Sequence, residues 1–223
     1  HEHVWTLEHR GPSGRAGHGA TLALFNALLD AGRAAQAISR FEPLLARFAS
    51  SVDFRSLLSE AYVATGQAEK ASRQIDAIEA LYDPAQGAAG TSDPDLARQL
   101  ATFYLLTRPD AEAALRHARV AYDEEAPSRV DQRWLGAAEL ASDNSALQAR
   151  GRKRLEDLLG EDIYASYFLA DHLFESGAEG AAKEAVKAGL SLGHEGPAAR
   201  RLRALARQHG IEIPSTPETL REL

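Results

Sequence analysis

One motif is written twice in this chain, 34 residues apart. Leu28-Leu29-Asp30-Ala31-Gly32, followed by Ala37, returns as Tyr62-Val63-Ala64-Thr65-Gly66, followed by Ala71. Leu28 and Tyr62, Gly32 and Gly66, and Ala37 and Ala71 therefore share one spacing of 34. The pattern reads as helix, turn, helix. The Gly ends the first helix, where a left-handed residue costs little without a Cβ. The small Ala lets the second helix pack closely against the first. A helix pair of this size cannot bury its apolar face alone, so the repeat constrains the chain to a stack in which neighbours cover one another.

The same frame extends through three more units. In one, Leu100, Ala101 and Tyr104 precede a turn at Arg108-Pro109-Asp110 and the small residue Ala113. In the next, Trp134, Ala137 and Ala138 precede Asp143-Asn144-Ser145, and a second helix from Ala146 to Leu159 turns Leu147, Leu155 and Leu158 inward. The last has Leu169, Ala170 and Leu173, then Gly177 and Ala182. Units start near 18, 52, 94, 131 and 163, and the step from 52 to 94 leaves a surplus of eight residues. The small, polar, Pro/Gly-rich stretch from Asp83 to Pro94 absorbs it as a surface loop. Pro197 opens a further helix and Gly210 closes it, with Leu202, Leu205 and Ala206 on one side and Arg200, Arg201, Arg203 and Arg207 mostly elsewhere. A terminal helix with a polar outside covers the last apolar face of a stack. Beyond it, Thr216-Pro217 reads as the cap of one more turn.

These residues resemble the tetratricopeptide repeat family. Its pattern places Trp, Leu, Gly/Ala and Tyr on the first helix of each unit, then Ala, an aromatic, Ala and Pro on the second. The matches are Leu24, Phe25, Ala37 and Phe41 in the first unit and Leu58, Tyr62, Gly66, Ala71 and Pro84 in the second. The third has Leu100, Ala101, Tyr104, Ala113 and Pro127, the fourth Trp134 and Ala138, and the fifth Leu169, Ala170, Gly177 and Ala182. The resemblance implies an all-α chain: a right-handed α-solenoid of about five helix-turn-helix repeats with a C-terminal capping helix. The expected organisation is an extended His-rich segment over 1–17, the array over 18–195, and the capping helix and tail over 196–223. An irregular helical bundle is the alternative.

A solenoid of this kind implies a concave face, lined by the first helix of every unit, that holds a protein or peptide. The residues expected there are Asn26, Glu60, Arg98, Glu139, Tyr164, Tyr167, Asp171 and Phe174, with Asp30, Asp53, Ser56, Asp95, Thr102, Gln132, Asp143 and Glu175 alongside. Recurrent carboxylates favour a partner carrying Lys or Arg, and the C-terminal aromatics supply anchors. The contact residues favoured most are Tyr167, Asp171 and Phe174. Some family members grip a C-terminal carboxylate with Lys, Asn and Arg. Asn26 is in place here, but Leu22, Leu57, Asp95 and Gln99 stand at the partner positions, so that use is not expected.

Composition narrows the function classes. A formal charge of −7 argues against nucleic acid or an anionic membrane as the partner, because phosphate attraction needs clustered positive surface. No apolar run approaches the roughly 20 residues that span a bilayer, so no membrane insertion is expected. The Arg150, Arg152, Lys153, Arg154 cluster and the Arg200–Arg207 set read as solvated convex helix faces paired with Glu156, Asp157 and Glu195, with contact to an acidic protein or a nucleic-acid backbone as the alternative. No nucleophile elbow, phosphate-cradling loop or His-Glu-x-x-His pair is present, and no enzyme is expected. The absence of Cys removes disulfides and thiolate sites, and the absence of Met, including at position 1, favours a removed leader and a periplasmic or secreted setting. No cofactor is expected in the array. His1, His3, His9 and His18 crowd the N-terminus. If His1 is a mature end, its amine, two backbone amides and His3 suit Cu(II) or Ni(II) in a square plane; a frayed His-rich end is the plainer alternative. Two rival functions follow, a metal-handling extracytoplasmic protein and a helical domain of a larger enzyme or regulator. End-to-end self-association is compatible with any of them.

Overall fold

A computed structural model describes residues 14–82, 92–122, 125–193 and 195–213 of the chain. All regular structure among the described residues is helical. The helices are α1 (Gly14–Asp30), α2 (Ala34–Phe41), α3 (Val52–Ala64), α4 (Ala68–Tyr82), α5 (Pro94–Leu106) and α6 (Ala111–Ala121). They continue as α7 (Arg129–Leu140), α8 (Ser145–Glu156), α9 (Ile163–Glu175), α10 (Glu179–Ser191) and α11 (Pro197–Gln208), with a 3-10 turn at Glu42–Leu44. The helices α1 and α2, α3 and α4, α7 and α8, and α9 and α10 pack as adjacent pairs, consistent with tetratricopeptide-like repeats. The first helix begins at Gly14, ahead of the unit start read at 18, so the last residues of the segment read as extended are helical. The expectations for residues 1–13, for the loop over 83–91 and for Thr216-Pro217 lie outside the described residues.

Local chemistry explains where the helices stop and start. Gly32 and Gly66 take positive φ angles of 70° and 73°. At each, the following amide reaches back to the first helix: Arg33 N–H donates to Leu28 O and Gln67 N–H to Tyr62 O, both at 2.8 Å. These bonds satisfy carbonyls that a helix end leaves without partners. At the starts, Ser51, Asp110, Ser128, Asn144 and Asp162 accept bonds from amides of the first turns of α3, α6, α7, α8 and α9. Each such cap stabilises its helix by about 1 kcal/mol. The second helix of the fourth unit runs Ser145–Glu156, starting one residue earlier and ending three residues earlier than expected, because Asn144 caps it and the chain turns from Asp157 onward.

The chain divides into two compact units, the first holding α1 to α4 and the second α5 (to Leu105) through α11. In the first, α2 packs on α1 and α3, α3 on α4, and α1 on α3. Its centre is aromatic. Phe25 stacks on Phe41 at 4.4 Å and meets Phe54 edge-on at 5.8 Å, and Phe48 stacks on Phe54 at 4.8 Å. Ala37 and Ala71, the repeated small residues, are buried where second helices meet first ones. Each buried Phe contributes about 1.5–3 kcal/mol through removal from water.

In the second unit α6 packs on α7, α7 on α8, α8 on α9 and α9 on α10, and α11 lies on both α9 and α10. One cluster joins Ala101, Ala114, Ala118, Leu135 and Ala138. A larger one gathers Leu155, Leu158, Leu169, Leu173, Val186 and Leu202. The terminal helix thus buries Ala198, Ala199, Leu202 and Ala206, as a cap does. Glycines bring α7 and α8 into unusually close contact: a Cβ on Gly151 would lie 2.5 Å from both Gly136 O and Leu140 N.

Candidate functional site

Helix α9 carries the most concentrated set of the residues singled out from sequence. Tyr167, Asp171 and Phe174 fall at i, i+4 and i+7, so they share a face, and all three are half-buried. Asp162 fixes the start of the helix by accepting from Tyr164 N–H at 2.9 Å and Ala165 N–H at 3.0 Å. Burial, reinforced by the neighbouring Asp171 carboxylate, pushes the Tyr167 hydroxyl up to about 12. Burial also raises the Asp171 carboxyl, and Glu175 one turn on adds to the effect, while Arg201 and His172 oppose it. Phe174 stacks face to face on His209 at 3.6 Å. Terminal helix α11 and its C-cap therefore border this face with Arg201 and His209. Sequence reading placed Arg201 on a solvated helix face and did not single out His209, because nothing local links positions 201 and 209 to α9.

Tyr164 plays a different part. Its ring tilts against Trp134 at 5.0 Å, and the Arg133 guanidinium lies 4.7 Å from its centre. The same guanidinium sits 4.5 Å from the Trp134 ring and donates to Asp162 at 2.8 Å. A parallel link precedes it. Arg98 on α5 donates to Asp131 on α7 at 2.9 Å and to Asp95 at 2.7 Å. Arg98 was expected on an open wall; it is half-buried and ties successive first helices together.

Glu139 departs furthest from expectation. It was expected on the open face, yet its side chain is 4 % exposed. Arg154 on α8 donates to it at 3.0 Å, and Arg150 lies 3.5 Å away. Arg154 also donates to the Tyr122 hydroxyl at 3.1 Å and covers that ring. The cause is the close approach of α7 and α8 at Gly136 and Gly151, which carries the arginines over the carboxylate. From the same basic cluster, Arg152 and Lys153 pair on the helix surface with Glu156 and Asp157, as read from sequence.

On the first unit, Asn26 and Glu60 are half-buried, and Asn26 donates to Leu22 O at 3.1 Å. Asp53, Ser56 and Glu60 recur on one face of α3. Burial alone pushes the Asp53 carboxyl up to about 6. His18, the one residue of the N-terminal His group among the described residues, faces Ser51 Oγ at 3.2 Å, and burial lowers its pKa. His1 and His3 lie outside the described residues, among which no group of three or more His, Cys, Asp or Glu is arranged to hold a metal ion. Among the same residues no helix is long and apolar enough to cross a membrane.

Comparison with known families matches residues 28–91 to the tetratricopeptide repeat. The matched stretch holds both copies of the 34-residue motif and runs from the end of α1 through α4. Neither the curated proteins nor the solved structures yield a match to the chain. With Gly32, Ala37, Gly66 and Ala71 in their 34-residue register, residues 28–91 match the tetratricopeptide repeat.

Proposed function

We propose that the chain is a binding scaffold that holds a peptide segment of a protein partner against the α9 face of Tyr167, Asp171 and Phe174. Tetratricopeptide repeats generally mediate protein–protein interaction and are typically not enzymes. The observation that carries the reading is the half-buried, pre-ordered aromatic pair flanking a carboxylate on one helix face. Phe174 is already immobilised on His209, and Tyr167 packs on Phe168 at 5.0 Å. Ordered aromatics lose little entropy when a partner arrives, so more of their contact energy appears as affinity.

Fluorescence polarisation with pools of labelled short peptides tests this. Tyr167→Ala and Phe174→Ala are each expected to weaken the bound fraction about tenfold or more, the level of an interface anchor. Binding at full strength in both variants refutes the assignment.

A further inference from the structure

We propose that the partner segment presents an arginine side chain to the α9 face, where its guanidinium bonds the Asp171 and Glu175 carboxylates. The inference rests on the binding reading above and adds the chemistry of one partner residue. Every group it uses belongs to the second compact unit. Asp171 and Glu175 stand one turn apart on α9, the first half-buried and the second exposed. Neither forms an ion pair among the described residues. Other carboxylates of this unit are already taken. Asp95 and Asp131 accept from Arg98, Asp162 from Arg133 and Glu139 from Arg154.

The neighbouring cations do not close the gap. On α10, Lys183 pairs with Glu179 at 3.6 Å and Lys187 with Glu184 at 2.9 Å. Arg201 and His172 act on Asp171 without forming an ion pair with it. Two carboxylates therefore share one guanidinium, and the face keeps an excess of negative charge.

Shape selects arginine over lysine. Arg154 donates to Glu139 and the Tyr122 hydroxyl while covering the Tyr122 ring, and Arg133 donates to Asp162 while lying over Trp134 and Tyr164. The α9 face offers the same company: a carboxylate hydrogen-bonded to the Tyr167 hydroxyl, with the Tyr167 and Phe174 rings beside it. A planar guanidinium with five donors reaches both carboxylates and lies along a ring at once. An ammonium lacks that surface, and an acidic segment would be repelled.

The test uses four pools of short labelled peptides, identical except for one fixed position carrying Arg, citrulline, Lys or Glu, against the full chain. Citrulline keeps the shape of arginine without the charge. The Arg pool is expected to bind about tenfold more tightly than the citrulline pool, with Lys between them and Glu weakest. Asp171→Asn is expected to abolish the preference for Arg over citrulline while thermal melting shows the chain folded. Glu175→Gln, at an exposed position that folding does not need, is expected to cut it about threefold. Phe174→Ala is expected to weaken the Arg and citrulline pools alike. Equal binding of Arg and citrulline, Lys binding as tightly as Arg, or a preference that survives both carboxylate variants overturns the proposal. If Phe174→Ala still weakens those pools, the α9 reading stands without it. No binding by any pool overturns both.

Discussion

Arg133 donates to Asp162 at 2.8 Å while its guanidinium lies over Trp134 and Tyr164, so one side chain joins α7 to the cap of α9. Both partners are about 15 % exposed, at 14 % and 15 %. Arg133→Ala leaves the Asp162 charge without its partner and strips the stacking from two rings. The expected loss is about 3 kcal/mol, measured by urea denaturation followed through Trp134 fluorescence. Arg133→Lys is expected to recover little, because an ammonium lacks the planar surface. Full recovery by Lys would show that charge alone matters there.

Gly151→Ala is expected to be more damaging than Gly136→Ala. The new Cβ at 151 would meet backbone atoms at 2.5 Å, which move only if the helices separate. At 136 it would meet side chains at 3.1 and 3.2 Å and the Gly151 carbonyl at 3.3 Å, contacts that small shifts relieve. Overpacking of the first kind costs about 2–3 kcal/mol. Melting temperatures of the two variants, compared side by side, check the ranking.

Asp53 makes stability depend on pH in an uncommon direction. Its folded pKa of about 6 stands above the ordinary 3.8, so the folded chain binds the proton more tightly than the unfolded chain. Through that window the contribution from Asp53 is present at low pH and is lost as pH rises. Discounted for the part of the side chain still in water, the effect at neutral pH is about 2 kcal/mol. Asp53→Asn is expected to melt higher than the parent chain at pH 7, with the difference vanishing near pH 4. A gap that stays constant with pH would show that the carboxyl is not perturbed.

Glu139 and Asp171 are expected to separate stability from binding. Glu139→Ala leaves Arg154 and Arg150 without their buried acceptor and costs about 2–3 kcal/mol in denaturant midpoints. Asp171→Ala removes a half-buried carboxylate bordered by Glu175. It is expected to change melting little and peptide binding strongly.

The helix pairs were legible because their signals are local. Gly32 and Gly66 announce positive φ, Ala37 and Ala71 announce close packing, and Pro197 announces the last helix. The candidate site was legible only in part. Tyr167, Asp171 and Phe174 share a face through helical periodicity alone. Arg201 and His209 join them from another helix, and no spacing rule reaches that far.

Glu139 and Asp171 stand 32 residues apart, the same step that separates the unit starts at 131 and 163. By sequence they are the same position. One is sealed beneath Arg154 and the other is not, because the residue 32 beyond Arg154 is Val186. The sequence by itself determined the repeating helix pair, since turns, caps and small residues act within a few positions of the backbone they control. Tertiary structure decided which carboxylates stay available, since burial and pairing depend on side chains that only folding brings within reach.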